Sequence, residues 1–185
     1  MTVIAASEIH GLAATSDKEL KAALGQWLDS PPRRIDRLIL QCLLAAAPLK
    51  ARVRNNCGLY LASAHPARAT IGALLEAVCV QHKQPKPFEF VNSVSNAAGF
   101  HIAQQLGIDG PNLFIGAGEQ VWAQLQALAN LDLQDGLIEQ ALLLVCDECG
   151  DFCVQAVLLD GATTGIHANN FAKLTADTEV ERIKL

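Results

Sequence analysis

Charge is scarce in this sequence. Asp, Glu, Lys and Arg make up 18% of its 185 residues, below the usual quarter of a soluble domain. A surface so poor in charge implies that part of it is covered by a partner. The charge present leans acidic, with a formal net value of −5. No basic block exceeds the pair Arg33-Arg34, so the phosphate-neutralising face that nucleic-acid binding needs is missing. Long hydrophobic runs are missing too. None exceeds about ten residues, roughly half of what crosses a bilayer, and no membrane association is expected. The amino terminus, "MTVIAASEIH", lacks a basic flank followed by a sustained apolar stretch, so a secretory signal is not expected and the sequence reads as cytoplasmic. Its six cysteines should then be reduced. No internal repeat or low-complexity segment is found.

What is present is a core. Hydrophobic residues account for 51% of the chain, which excludes disorder, and the length suits one compact domain. "TVIAASEIHG" reads as a first strand. Ser16 with Glu19 three residues on forms a capping-box pattern opening a short helix, which Pro31-Pro32 ends. "RRIDRLILQCLLAAA" places Ile35, Leu38, Ile39, Cys42, Leu43 and Ala46 at helical spacing. "CGLYLASA" is a short apolar run, as in a strand covered on both faces. "ATIGALLEAVCVQH" reads as helix, "KQPKPFEF" as a proline-rich crossover and "SNAAGFHIAQQLG" as a small-residue helix. "EQALLLVCDE" and "DFCVQAVLLDG" read as two strands joined by a turn at Gly150, and so antiparallel. Strands alternating with helices predict an α/β domain over residues 1–161. Its core is a five-stranded, mixed but mostly parallel sheet with helices on both faces. Residues 162–185, polar and aperiodic, are expected to form a C-terminal tail.

One stretch asks for chemistry. In "GPNLFIGAGEQVW" (110–122) a strand-like run enters the turn Gly116-Ala117-Gly118 and a helical pattern follows, with Glu119 at the tip. Such a turn is where many enzymes place a nucleophile.

The anchors around Glu119 resemble those of the amino-terminal half of the β-ketoacyl synthases, condensing enzymes of the thiolase-like superfamily. Arg33-Arg34 and the Ala-rich run after them look like that family's first core helix. "NAAG" at Asn96–Gly99 looks like its "NAAAG" segment, and Gly110-Pro111-Asn112 like its "GPS" approach to the nucleophile strand. The family's catalytic cysteine stands nine residues after that glycine, here Glu119, and its next glycine seventeen residues further, here Gly136. The resemblance spans roughly residues 1 to 160 and implies half of a three-layer thiolase-like fold. It also implies a lost thiolate, since a carboxylate at a helix start is a weak nucleophile toward a thioester. The family's paired active-site histidines belong to its second half. None of the histidines at 10, 65, 82, 101 and 167 sits in a motif resembling theirs.

Loss of that cysteine is the rule in chain-length factors of type II polyketide synthases, and "FVNSVSNAAG" followed by "GAGE" resembles the aryl-polyene subgroup. The resemblance therefore implies a noncatalytic subunit pairing with a catalytic ketosynthase, with self-pairing and contact with an acyl carrier protein as further partners. A decarboxylase or acyltransferase using Glu119, or a homodimeric scaffold, are the alternatives. The strand Asn112–Gly116 would pair across a two-fold axis. Asn112, Phe114, Gly116, Gly118, Glu119, Trp122, Phe100 and His101 are the candidates for tunnel or interface. Glu119 reads equally as a cap residue; an acid–base role lacks a partner residue. His101 faces either a pocket or the packed structure, and Arg33, Arg34 and Arg37 either dock a carrier protein or are a solvated helix start. Cys146, Cys149 and Cys153 of "CDECGDFC" lack a fourth zinc ligand nearby, so core packing is their default. No metal and no cofactor are expected.

Overall fold

The computed structural model describes residues 1–147, 150–161 and 168–185; Cys149 and His167 lie outside them. The strongest helical signal in the sequence forms the centre of one layer. Helix α2 spans Arg37–Ala46 and is buried from Leu38 to Ala46. Its first core residue is Leu38, because the Asp36 carboxylate takes the N-cap and accepts the Ile39 N–H at 3.0 Å. The two arginines before it therefore stay outside the helix, and Arg34 has a left-handed φ of 58°. The capping box before α1 (Asp17–Leu24) is present, with the Ser16 N–H donating to Glu19 at 2.7 Å.

The sheet has six strands: β1 (Thr2–Gly11), β2 (Cys57–Ser63), β3 (Asn112–Gly116), β4 (Gln140–Asp147), β5 (Phe152–Asp160) and β6 (Val180–Lys184). Their spatial order is β3-β2-β4-β5-β1-β6. β5 alone among them runs against its neighbours, antiparallel to both β4 and β1. The pairs β2–β3, β2–β4 and β1–β6 are parallel. The mixed, mostly parallel sheet expected from sequence is thus present with one strand more. β6 comes from the stretch read as a tail and pairs with β1 from Ala6↔Val180 to His10↔Lys184. Every residue of β2 is buried, as an interior strand covered on both faces must be.

Alternation along the strands divides two cores. Leu59, Leu61, Leu142, Leu144, Ala156 and Leu158 face α1, α2 and α5 (Ala97–Leu106). Tyr60, Ala62, Leu143, Val157 and Leu159 face α6 (Val121–Gln134) and the short α7 (Phe171–Leu174). The result is a three-layer α/β/α arrangement. Buried polar groups join layers. Tyr60 Oη donates to Asp132 on α6 at 2.5 Å, and Gln126 Nε2 donates to the Ala168 carbonyl at 2.8 Å.

The middle of the chain differs. α3 (Arg68–Leu75) continues into a π-helical turn, Glu76–Val80, and the expected crossover contains a helix, α4 (Pro87–Asn92). Pro87 occupies the first turn, where its missing N–H costs nothing. None of these three segments buries a residue.

β3 reaches β2 only because Gly110 has no side chain. A Cβ there would meet the Cys57 carbonyl, which accepts the Gly110 N–H at 3.2 Å. We predict that Gly110→Ala lowers unfolding stability by about 1–3 kcal/mol, the usual cost of forcing atoms into filled space. Urea denaturation followed by circular dichroism would show it.

Candidate functional site

The candidate site is built at the start of β3 and completed by the turn into α6. Pro111 accepts the Leu59 N–H at 2.7 Å, and the ladder runs from Leu59↔Asn112 to Ser63↔Gly116. The Ala117 N–H extends it to the Ser63 carbonyl at 3.0 Å. β3 then stops, and its other edge carries no strand among the described residues.

The two sequence anchors, "NAAG" and "GPN", meet in space. Asn96 Nδ2 donates to the Asn112 carbonyl at 3.3 Å. A Cβ on Gly99 would run into the side-chain oxygens of both Asn96 and Asn112, so Gly99 is what lets α5 lie against β3. Asn96 Oδ1 and Asn112 Oδ1 are both buried without a hydrogen bond. They converge on the same point beside Gly99, and rotating the Asn112 amide by half a turn would present its Nδ2 to Asn96 Oδ1.

His101 follows on α5. Its Nδ1 is buried without a hydrogen bond, and its ring meets Phe100 edge-on at 5.3 Å. Burial holds the imidazole below its ordinary pKa, against a smaller opposing pull from the Asp36 carboxylate. Asp36 is itself pushed up by burial, offset by the Ile39 N–H and the Thr70 hydroxyl, which donates to it at 2.8 Å.

The turn holds Glu119 in the open. Its side chain is exposed, with no hydrogen bond to a described residue, and it does not cap α6. The N-cap position is Gln120, which makes no side-chain cap bond. Gly116 and Gly118 have empty space where a Cβ would go and do not take a left-handed φ. The chain alone does not strain this turn into an elbow.

The other candidates separate. Phe114 is half-buried and packs on the α2 side. Trp122 is buried on the opposite face of the sheet, where it packs in the core against Phe171 at 5.7 Å. Phe100 stays 61% exposed. Arg37 is committed to structure, bonding the Thr15 carbonyl and pairing with Asp17 at 3.5 Å, with its guanidinium over Phe152. Arg34 lies over Phe88, and Arg33 is exposed.

Sequence reasoning missed a set of exposed apolar residues. Leu113 on β3 is 41% exposed, and Phe88, Phe90, Val91 and Val94, leading into α5, are more exposed still. Ile71, Leu75, Val78 and Val80 are exposed as well. The signal was available in "PFEFV", where three large apolar residues crowd a short proline-led segment of only six helical residues.

This architecture recurs among solved structures. The chain superposes on the ishigamide ketosynthase/chain length factor with a TM-score of 0.68 at 14% identity, covering 85% of this chain and 51% of that one. The chain has the thiolase-like fold. A second structure of similar fold lies in the complex of the ketosynthase ApeO with its chain length factor ApeC from Xenorhabdus doucetiae. There the TM-score is 0.63 at 13% identity, and the match spans 94% of this chain and 88% of that one. A third is in the AntDE:AntF assembly of a type II polyketide synthase acyl-carrier protein with its ketosynthase (TM-score 0.58, 13% identity, 86% and 62% covered). This chain thus spans about half the length of the first neighbour and most of the second. No family model and no curated protein matches the sequence. Among the described residues no helix is long and apolar enough to cross a membrane.

The His101 environment predicts a pH effect. The unfolded chain takes up this proton near pH 6.5, whereas the folded chain resists it. The folded state therefore loses stability as pH falls through 6.5 toward the lower folded value. His101→Gln should show a smaller fall in urea midpoint between pH 7.5 and 5.5 than the parent chain.

Proposed function

We propose that this thiolase-like chain is a noncatalytic, chain-length-factor-like subunit that pairs with an active β-ketoacyl synthase in polyketide- or fatty-acid-type biosynthesis. The observation that carries the reading is the open edge of β3 beside exposed apolar residues, in a fold whose solved neighbours include ketosynthase–chain length factor complexes. An unpaired edge strand offers a row of backbone donors and acceptors, and strand addition by a partner would satisfy them. Leu113, Phe90, Val94 and Phe100 would be covered in the same step.

Chemistry at the turn supports a noncatalytic role. A nucleophile needs a base within hydrogen-bond reach or an environment that activates it. Glu119 has no such neighbour among the described residues, and a carboxylate's acyl product would be a mixed anhydride rather than a stored thioester. In this reading Glu119 occupies the family's cysteine position and faces the partner. Contact with an acyl carrier protein, through the partner or through exposed Arg33, follows from the same proposal. So does a place in an aryl-polyene-type pathway.

The test is co-purification with a catalytic ketosynthase encoded beside this chain, followed by size-exclusion chromatography. A one-to-one complex is expected. Leu113→Lys combined with Phe90→Glu should weaken it at least roughly thirtyfold, since loss of a buried interface anchor costs about 2 kcal/mol or more. A stable homodimer that ignores the ketosynthase would favour the scaffold reading. With the partner's own cysteine disabled, carbon dioxide release from malonyl-carrier protein should be absent with and without Glu119→Ala. Release that depends on Glu119 would make this chain an enzyme.

A further inference from the structure

At the end of the sheet away from β3, three side chains from two strands converge. Glu8 and His10 are alternate residues of β1 and so share a face, and Cys153 of β5 lies directly opposite His10. His10 Nε2 is 3.4 Å from Glu8 Oε2 and 3.9 Å from Cys153 Sγ. One donor atom from each residue lies within 4.8 Å of the other two. Among the described residues this is the one such group of three. Cys146 does not contribute, because it faces the opposite core beside Gln41.

We propose that Glu8, His10 and Cys153 form a binding site for a zinc-type divalent ion. The donor set is carboxylate, imidazole and thiol, which suits a borderline metal and not calcium or magnesium. Bond lengths of about 2.0–2.3 Å in a tetrahedron put neighbouring donors roughly 3.3–3.6 Å apart. The His10–Glu8 spacing already fits, and a small rotation of the Cys153 side chain closes the rest. Binding replaces the thiol proton, which passes to solvent, with a metal–sulfur bond.

Two further features favour an ion. Gln155 Nε2 donates to Glu8 Oε1 at 2.6 Å, which fixes the carboxylate and leaves Oε2 directed at His10, as outer partners of metal ligands do. Cys153 is half-buried, so a bound ion would be partly shielded from solvent. The three side chains of the group supply three donors, and water would complete the four-coordinate shell. The competing cation is Arg182, whose Nε is 3.5 Å from Glu8 Oε2. Its side chain is 62% exposed at the sheet edge, so it can turn into solvent. The site is independent of the pairing proposal, because it lies on β1 and β5 and not on β3.

Cobalt(II) titration of the purified full chain tests this. One equivalent should bind with a sulfur-to-cobalt charge-transfer band and the intense visible bands of a tetrahedral ion, and zinc should displace it. Cys153→Ser should abolish the charge-transfer band and weaken binding at least about tenfold. His10→Ala should weaken it similarly, and because His10 is exposed that variant will fold. Cys79→Ser, which removes an exposed thiol elsewhere, should change nothing. Absence of stoichiometric binding, or binding that survives both His10→Ala and Cys153→Ser, overturns the proposal.

Discussion

The candidate face depends on one close approach. Gly110 packs its backbone against the carbonyl of Cys57, with no room for a side chain. That contact starts the β2–β3 ladder. From it follow the register of Asn112, the seating of α5 against Asn112 through Gly99, and the position at which the chain leaves the sheet toward Glu119. The neighbouring strand tolerates no error here. β2 is buried throughout and paired on both sides, so a displaced β3 would leave its N–H and C=O groups buried and unpaired.

The scarcity of charge has a structural counterpart. The segments from α3 through α4 contribute no buried residue, yet they carry Ile71, Leu75, Phe88, Phe90 and Val91 at the surface. Burying one such side chain is worth about 1.5–3 kcal/mol, so leaving a set of them in water forgoes a large stabilisation. Single exposed apolar residues need no explanation, but a run of them does. A partner that covers this side, as proposed, turns the same residues from a liability into binding energy.

Legibility followed locality. The apolar periodicity of α2, the continuous burial of β2 and the antiparallel pairing of β4 with β5 are local properties, and each could be read directly. β6 could not. "VERIK" alternates too weakly to look like a strand, and it is held by parallel pairing to β1, far away in sequence. α4 was hidden by its prolines, although Pro87 sits where a helix accepts one. At the site, the turn after β3 could be read from its glycines, but the exposure of the Glu119 side chain could not. The meeting of His10 with Cys153 was invisible for the same reason as β6. The three-cysteine spacing drew attention along the chain, while the actual neighbours of Cys153 come across the ladder from β1.

The two glycines of the turn carry the last step. At a position where φ is ordinary and space is open, glycine adds only unfolded-state entropy, worth roughly 0.4–1 kcal/mol against alanine. Gly116 and Gly118 are at such positions within this chain. Gly110 and Gly99 are different, because packing inside the chain accounts for them fully. The unexplained pair flanks the end of the open strand, where a second backbone would approach in the proposed pairing. Small residues there would let two strands and two turns come close, and Glu119 would then be enclosed by a neighbour rather than by its own fold. The turn's geometry would therefore be a property of the assembly, which is why the isolated chain leaves it unstrained and its carboxylate in solvent.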